Sequence, residues 1–243
     1  MSSKKQLEKL EFVVTAIVNN YFIVHQKMAL LSPLLEDKDL FERWNHTEGA
    51  SAAEAMRMTL YMAVLSDMRA LLFDADKRTA SLGQVIDALK NSNLVNALRK
   101  NFVDPPPTTV VGHDSDPEMR DFIAAEGAKM YMDMTGKRFD ELLPETIRMF
   151  EKFQASDLAI RVDSARSKII SHKELQSVEG ERRLYSPVDF GLRWGDAEDI
   201  VTGARDLIFN ANMLVNCSSY DLDSFFSAHI NSAQTFWSIP KKA

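Results

Sequence analysis

Leu7, Leu10, Val14, Ile17, Tyr21, Val24, Met28 and Leu31 recur at alternating steps of three and four, and that spacing constrains the fold more than any other feature of the sequence. On an α-helix, at about 100° per residue, all eight fall on one face. A helix this long with one apolar face must be covered by other helices or by a sheet, so the question becomes what the rest of the chain supplies. Ser32-Pro33 is read as its end. A second helix starts at Ser51 and is apolar nearly all round from Ala55 to Leu65, the pattern of an element in the middle of a bundle, with Arg57 and Asp67 as its exceptions. Ser81 caps a short helix carrying Val85, Ile86 and Leu89, and Leu94 and Leu98 belong to a further one.

Periodicity stops between 101 and 117, where Pro105-Pro106-Pro107 cannot continue a helix; this segment is expected to be a Pro-rich surface loop. Asp116-Pro117 is a cap and first-turn pair for a helix through Phe122, Ile123, Met130 and Met134, expected to end near Gly136. The next helix is expected from about Pro144 to the Ser171 region on the stripe Ile147, Phe150, Leu158, Val162, Ala165, Ile169. After a polar stretch from Lys173 to Arg183 and an irregular segment around Pro187, Asp196 caps a helix through Leu214, and a short helix around Phe225 and Ile230 follows. No segment alternates well enough to require a sheet, and no 20- to 50-residue period recurs. The expected fold is all-α: one helical domain over residues 1–243.

The 29 Lys+Arg against 35 Asp+Glu give a net charge of -6, which argues against nonspecific binding along nucleic acid, an affinity built from many phosphate contacts. The single Cys217 excludes an internal disulfide framework and a Cys-rich zinc site, and fits the cytoplasm. The longest uncharged run, Phe12 to Gln26, holds Asn19, Asn20 and His25 and falls short of the roughly 20 apolar residues that span a bilayer, so no membrane segment and no signal peptide is expected. Gly-rich phosphate loops, nucleophile elbows and zinc signatures are missing. His25, His46, His113, His172 and His229 show no ligand spacing, so neither a metal nor a cofactor is expected.

One segment stands out. Residues 161–173 carry four Lys/Arg against one Asp inside an otherwise acidic C-terminal half. At helical spacing Arg161, Lys168 and His172 share a face within about 20°, with Arg166 at the other border of the apolar stripe. The segment can cup an anion, or it can be a solvated helix end favoured by the helix dipole. Ser171 and Lys173 flank His172 and are read either as phosphate contacts or as exposed helix-end residues. Arg57 is read as half of a structural pair with Asp67 or another acid, His25 as a core-edge histidine, His46 with Trp44 as loop or rim, and Trp194, Phe225, Phe226 and Trp237 as packing groups.

Arg166, five residues, then His172 near the end of a late helix resembles the Arg-x4-6-His motif of the HEPN superfamily, and the chain is similar more specifically to its abortive-infection, AbiU-type branch. The resemblance extends over the Tyr21-Phe22 helix, the turn from Leu71 to Leu82, the Arg161 to His172 helix and the Asp196 to Leu214 helix. Ser167 stands where active relatives often carry Asn, Asp or His, and Ser171 where Ala is common. The resemblance implies a HEPN-like multi-helix bundle and metal-independent RNA cleavage giving 2',3'-cyclic phosphate ends. His172 would act on the 2'-hydroxyl and Arg166 on the phosphate, with Arg161, Lys168, Ser171 and Lys173 around the substrate, in a homodimer that brings two such sets to one cleft. The alternatives are a noncatalytic RNA- or nucleotide-binding dimer, or an interaction module that meets an antitoxin or another defence partner through its acidic surface.

Overall fold

The computed structural model describes residues 3–76, 78–104, 116–171, 175–178 and 181–238. Among these the chain forms helices α1 (Ser3–Glu36), α2 (Lys38–Trp44), α3 (Ala50–Phe73), α4 (Leu82–Ala88), α5 (Ser92–Val103), α6 (Pro117–Gln154), α7 (Asp157–Ala165), α8 (Asp196–Asn216) and α9 (Leu222–Trp237). A π-helical turn (Arg166–Ser171), a hairpin of β1 (Leu175–Val178) and β2 (Glu181–Leu184), and a 3-10 turn (Pro187–Phe190) lie between α7 and α8. The fold is an all-α bundle, as the periodicity requires.

α1 packs against α3, α8 and α9, and seven residues of its eight-residue stripe, from Leu10 to Leu31, are buried. α8 supplies the facing surface with Ile200, Ala204, Leu207, Ala211 and Leu214, all at most 1% exposed. The Tyr21 hydroxyl donates to the Val201 carbonyl at 3.0 Å, so the one polar atom on the buried stripe of α1 has its acceptor. Gly203 lets α8 approach α6 closely: a Cβ there would lie 2.6 Å from the Phe153 ring.

Three sequence expectations are corrected. α1 runs past Ser32-Pro33 to Glu36, because burial of Leu34 and Leu31 outweighs the one backbone bond the proline removes. α6 does not end near Gly136. That glycine is buried against α5, where a Cβ would meet Arg99 Nη2 at 3.0 Å, so it serves close packing rather than termination. The helix expected from Pro144 to Ser171 is interrupted: exposed Pro144 lies inside α6, and a new helix starts at Ser156, whose hydroxyl accepts from the Ala159 N–H. The hairpin was not foreseen. It is antiparallel with Leu175 opposite Leu184 and Gln176 opposite Arg183. The Pro105–Pro107 loop lies outside the described residues.

Candidate functional site

The Ser156 cap and Asp157 in the first turn launch α7, which buries Ala159, Val162 and Ala165 and packs on α3. At Arg166 the α-helical turn gives way to a π-helical one that ends at Ser171. Such turns are rare and costly enough to concentrate where function holds them in place. The wider turn also changes the angular step between successive residues, so the shared face expected for Arg161 and Lys168 is divided between two settings.

Arg161 is held by structure. Its Nη2 donates to Asp196 Oδ1 at 2.8 Å, and the other carboxylate oxygen, Oδ2, accepts from the Arg193 N–H at 2.9 Å. Asp196 is 4% exposed, and its negative charge sits in the first turn of α8, where the helix dipole favours it. Beside this pair the Tyr61 hydroxyl donates to the Arg193 carbonyl at 2.8 Å, and burial, reinforced by the Asp196 charge, pushes the phenol upward from its usual range. Tyr61 packs edge-on to Trp194, and the Arg57 guanidinium covers the Trp194 ring at 4.5 Å. Arg57 pairs with Glu54 at 2.5 Å, the structural ion pair expected of it with another acid than Asp67, which pairs with Lys27.

The acid of the basic segment, Asp163, is engaged from α3 by Arg69, whose Nε donates to it at 2.7 Å. Sequence reasoning missed Arg69, which lies 94 residues away and carries no local signal. Pairing off Asp163 and Arg161 leaves Arg166 and Lys168 as the surplus cations. The Arg166 side chain is half-buried and makes no ion pair or hydrogen bond among the described residues. Lys168 Nζ lies 4.9 Å from the centre of the Tyr185 ring, the first residue after β2.

That ring is positioned by Asp189, whose carboxylate accepts from Gln176 Nε2, both Arg183 Nη atoms, and the Ser186 N–H and hydroxyl at 2.6–3.1 Å. Arg183 above all, then the Ser186 N–H, holds this carboxyl well below the usual carboxylate range. The hairpin and the 3-10 turn are thereby fastened together beside the π turn. Of the remaining site residues expected from sequence, the backbone of Ser171 closes the π turn, while the Ser171 side chain, His172 and Lys173 lie outside the described residues.

Elsewhere the fold joins His25 of α1 to His229 of α9, 204 positions apart, with Nδ1 atoms 3.1 Å apart. His25 stacks on Phe226 at 3.9 Å between ring centres. No group of three metal-ligating side chains occurs among the described residues, and none of their helices is long and apolar enough to cross a membrane. The Arg166 guanidinium, without an ion pair among the described residues, can bind an anion, and its planar shape suits phosphate oxygens.

Comparison with protein families finds that the family model described as AbiU2, a HEPN family, matches residues 5–236. Neither the curated proteins nor the solved structures gave a match.

Proposed function

Because the chain belongs to the AbiU2 family of HEPN proteins, we propose that it is a cytoplasmic, metal-independent endoribonuclease of antiviral defence, with Arg166 and His172 as its catalytic pair. The observation that carries the reading is the Arg166 guanidinium at the π-helical turn, which has no ion pair among the described residues, with the acids Asp163 and Asp196 already engaged by Arg69 and Arg161. A cation without an acid among the described residues is available to a phosphate, and the surrounding ion pairs do not compete for it.

In the proposed reaction the neutral His172 imidazole accepts the 2'-hydroxyl proton, and the 2'-oxygen forms a bond to phosphorus as the bond to the 5'-oxygen breaks. Arg166 donates to the non-bridging oxygens, where negative charge builds in the transition state. The products are a 2',3'-cyclic phosphate and a 5'-hydroxyl, the latter taking up a proton as it leaves. Lys168, held near Tyr185, adds binding charge for the RNA backbone, and Ser171 and Lys173 flank the base. Arg161 acts as a positioning residue through Asp196. Two-fold pairing of protomers would bring two Arg166–His172 sets to one cleft.

The test is cleavage of a single-stranded RNA in EDTA by the parent and by His172→Ala, Arg166→Ala, Arg166→Lys and Lys168→Ala. His172→Ala and Arg166→Ala should each lose roughly 10²- to 10⁴-fold in rate. Lysine at 166 should not rescue fully, because a point charge cannot replace a two-pronged contact. Lys168→Ala should weaken binding and flatten its salt dependence. Salt-sensitive RNA binding without cleavage would make the protein a noncatalytic binder, and neither activity would leave an interaction module that meets an antitoxin or another protein.

A further inference from the structure

Between α1, α8 and α9 runs a groove whose charges are sorted along its length. On α1 it is bordered by His25, Ser32 and Glu36, and on α8 by Glu198 and Arg205. Ile230 and Trp237 border it on α9. Within each helix these residues recur at intervals of four or seven, so each helix turns one face to the groove. The groove consists of two adjoining cavities, of about 230 Å³ and about 680 Å³, with Ala29, Ser32, Glu198 and Ile230 in the walls of both.

α1 and α8 run in opposite directions, since Tyr21 bonds to Val201 while Ser32 borders the same cavity as Glu198. The order along the groove is therefore Arg205 beside Tyr21 and His25, then Glu198 beside Ser32, then Glu36 and Asp37. Glu198 and Arg205 share a face of α8 about 10.5 Å apart along its axis, with the smaller cavity against both. They do not pair. Glu198 and Glu36 make no ion pair or hydrogen bond among the described residues, and Asp37 gives one oxygen to the Leu40 N–H. Arg205 reaches only Asp223, which is 93% exposed, at 3.6 Å, and its Nε is buried without a hydrogen-bond partner among the described residues. Arg43 is the one cation in the wall of the larger cavity, against three carboxylates.

We infer that this groove binds a basic α-amino acid, arginine or lysine, with its α-carboxylate at Arg205, its α-ammonium at Glu198 and its side-chain cation at Glu36 and Asp37. A guanidinium meets a carboxylate with two parallel hydrogen bonds, which the pairing with Asp223 leaves open. Glu36 lies about 6 Å beyond Ser32 along α1, a reach that the long stem of either side chain covers while its methylenes lie on Ile230 and Trp237. A simple cation leaves Arg205 unanswered, and a simple anion meets the carboxylates, so the whole groove is satisfied only by a ligand with both signs in this order. The site shares no residue with the Arg166 segment and does not rest on the RNA reading.

Titration calorimetry of the full chain with L-arginine and L-lysine should give saturable one-to-one binding. Agmatine lacks the carboxylate, Nα-acetyl-arginine the α-ammonium and citrulline the side-chain charge, and each should bind roughly 10- to 100-fold more weakly, the worth of one charge-assisted contact. Glu198→Gln should weaken arginine by the same factor and leave Nα-acetyl-arginine unchanged, while Glu36→Gln should weaken arginine but not citrulline. Both residues are exposed, so the circular dichroism of the variants should match the parent. Saturating arginine should also slow amide exchange in α9, which the ligand ties to α1 and α8. No binding up to about 10 mM, agmatine as tight as arginine, a Glu198→Gln protein that binds arginine like the parent, or unchanged exchange in α9 would each overturn the site.

Discussion

Arg161 and Arg166 lie five positions apart in one basic segment, yet the fold gives them different work. Arg161 satisfies a buried carboxylate, and removing it leaves Asp196 with only the Arg193 N–H for its charge. Because the arginine side chain is itself about one-third exposed, Arg161→Ala should cost about 1–3 kcal/mol, below the full loss for breaking a deeply buried pair. Arg166→Ala breaks no interaction among the described residues and should fall within about 0.5 kcal/mol of the parent. Urea titrations of the two variants check this; an Arg166→Ala protein less stable than Arg161→Ala would mean that Arg166 is the structural residue. The sequence showed the charge surplus but could not show this division. Which cation is free depends on Asp196, 35 positions from Arg161, and on Arg69 reaching Asp163 from another helix.

Helices were legible wherever burial and capping agreed. The α1 stripe, the Asp116-Pro117 start of α6 and the apolar face of α8 could all be read directly. Errors arose where one residue type has two uses: Gly136 and Pro33 look like stop signals, yet both lie within helices whose packing overrides them. Ser156-Asp157 was a readable start signal that the longer apolar periodicity obscured. Its hydroxyl bond to Ala159 is 3.3 Å, so Ser156→Ala should cost about 0.5–1 kcal/mol, with Ser156→Asp close to the parent. A shifted denaturation midpoint at unchanged slope is the expected result. The hairpin escaped because its strands are four residues each and its outward face keeps Leu175 and Leu184 exposed, so neither alternation nor burial signals it. What fixes it is Asp189, from outside the strands. Asp189→Ala should therefore speed amide hydrogen exchange across 175–184 while the melting temperature, set by the helical core, changes little. Unchanged exchange there would show that the pairing between β1 and β2 suffices alone.

Across the whole molecule, the closing contact is made by α9 on α1. α9 buries only Ala233 fully, and it is fastened by the Trp237 indole donating to the Leu30 carbonyl at 3.0 Å and by the His25–His229 pair. The groups facing His25 are His229 from α9 and Arg205 and Glu198 from α8, with Asp223 3.6 Å from Arg205. Burial first, then the neighbouring His229 and Arg205, lowers the His25 pKa from 6.5 to about 4, and burial lowers that of His229. Between those values the unfolded chain binds more protons than the folded one, so stability should be complete above about pH 6.5, fall as pH drops towards 4, and level off below. Since the pair is only partly buried, the loss should be on the order of 1 kcal/mol. It should appear first as faster exchange in α9 rather than in α8, because α9 buries only Ala233 fully while α8 buries its whole apolar face. His25→Gln or His229→Gln, which cannot take up the proton, should flatten that pH dependence. If both retain the parent's fall between pH 6.5 and 4, the acid sensitivity lies elsewhere and the histidine pair serves packing alone.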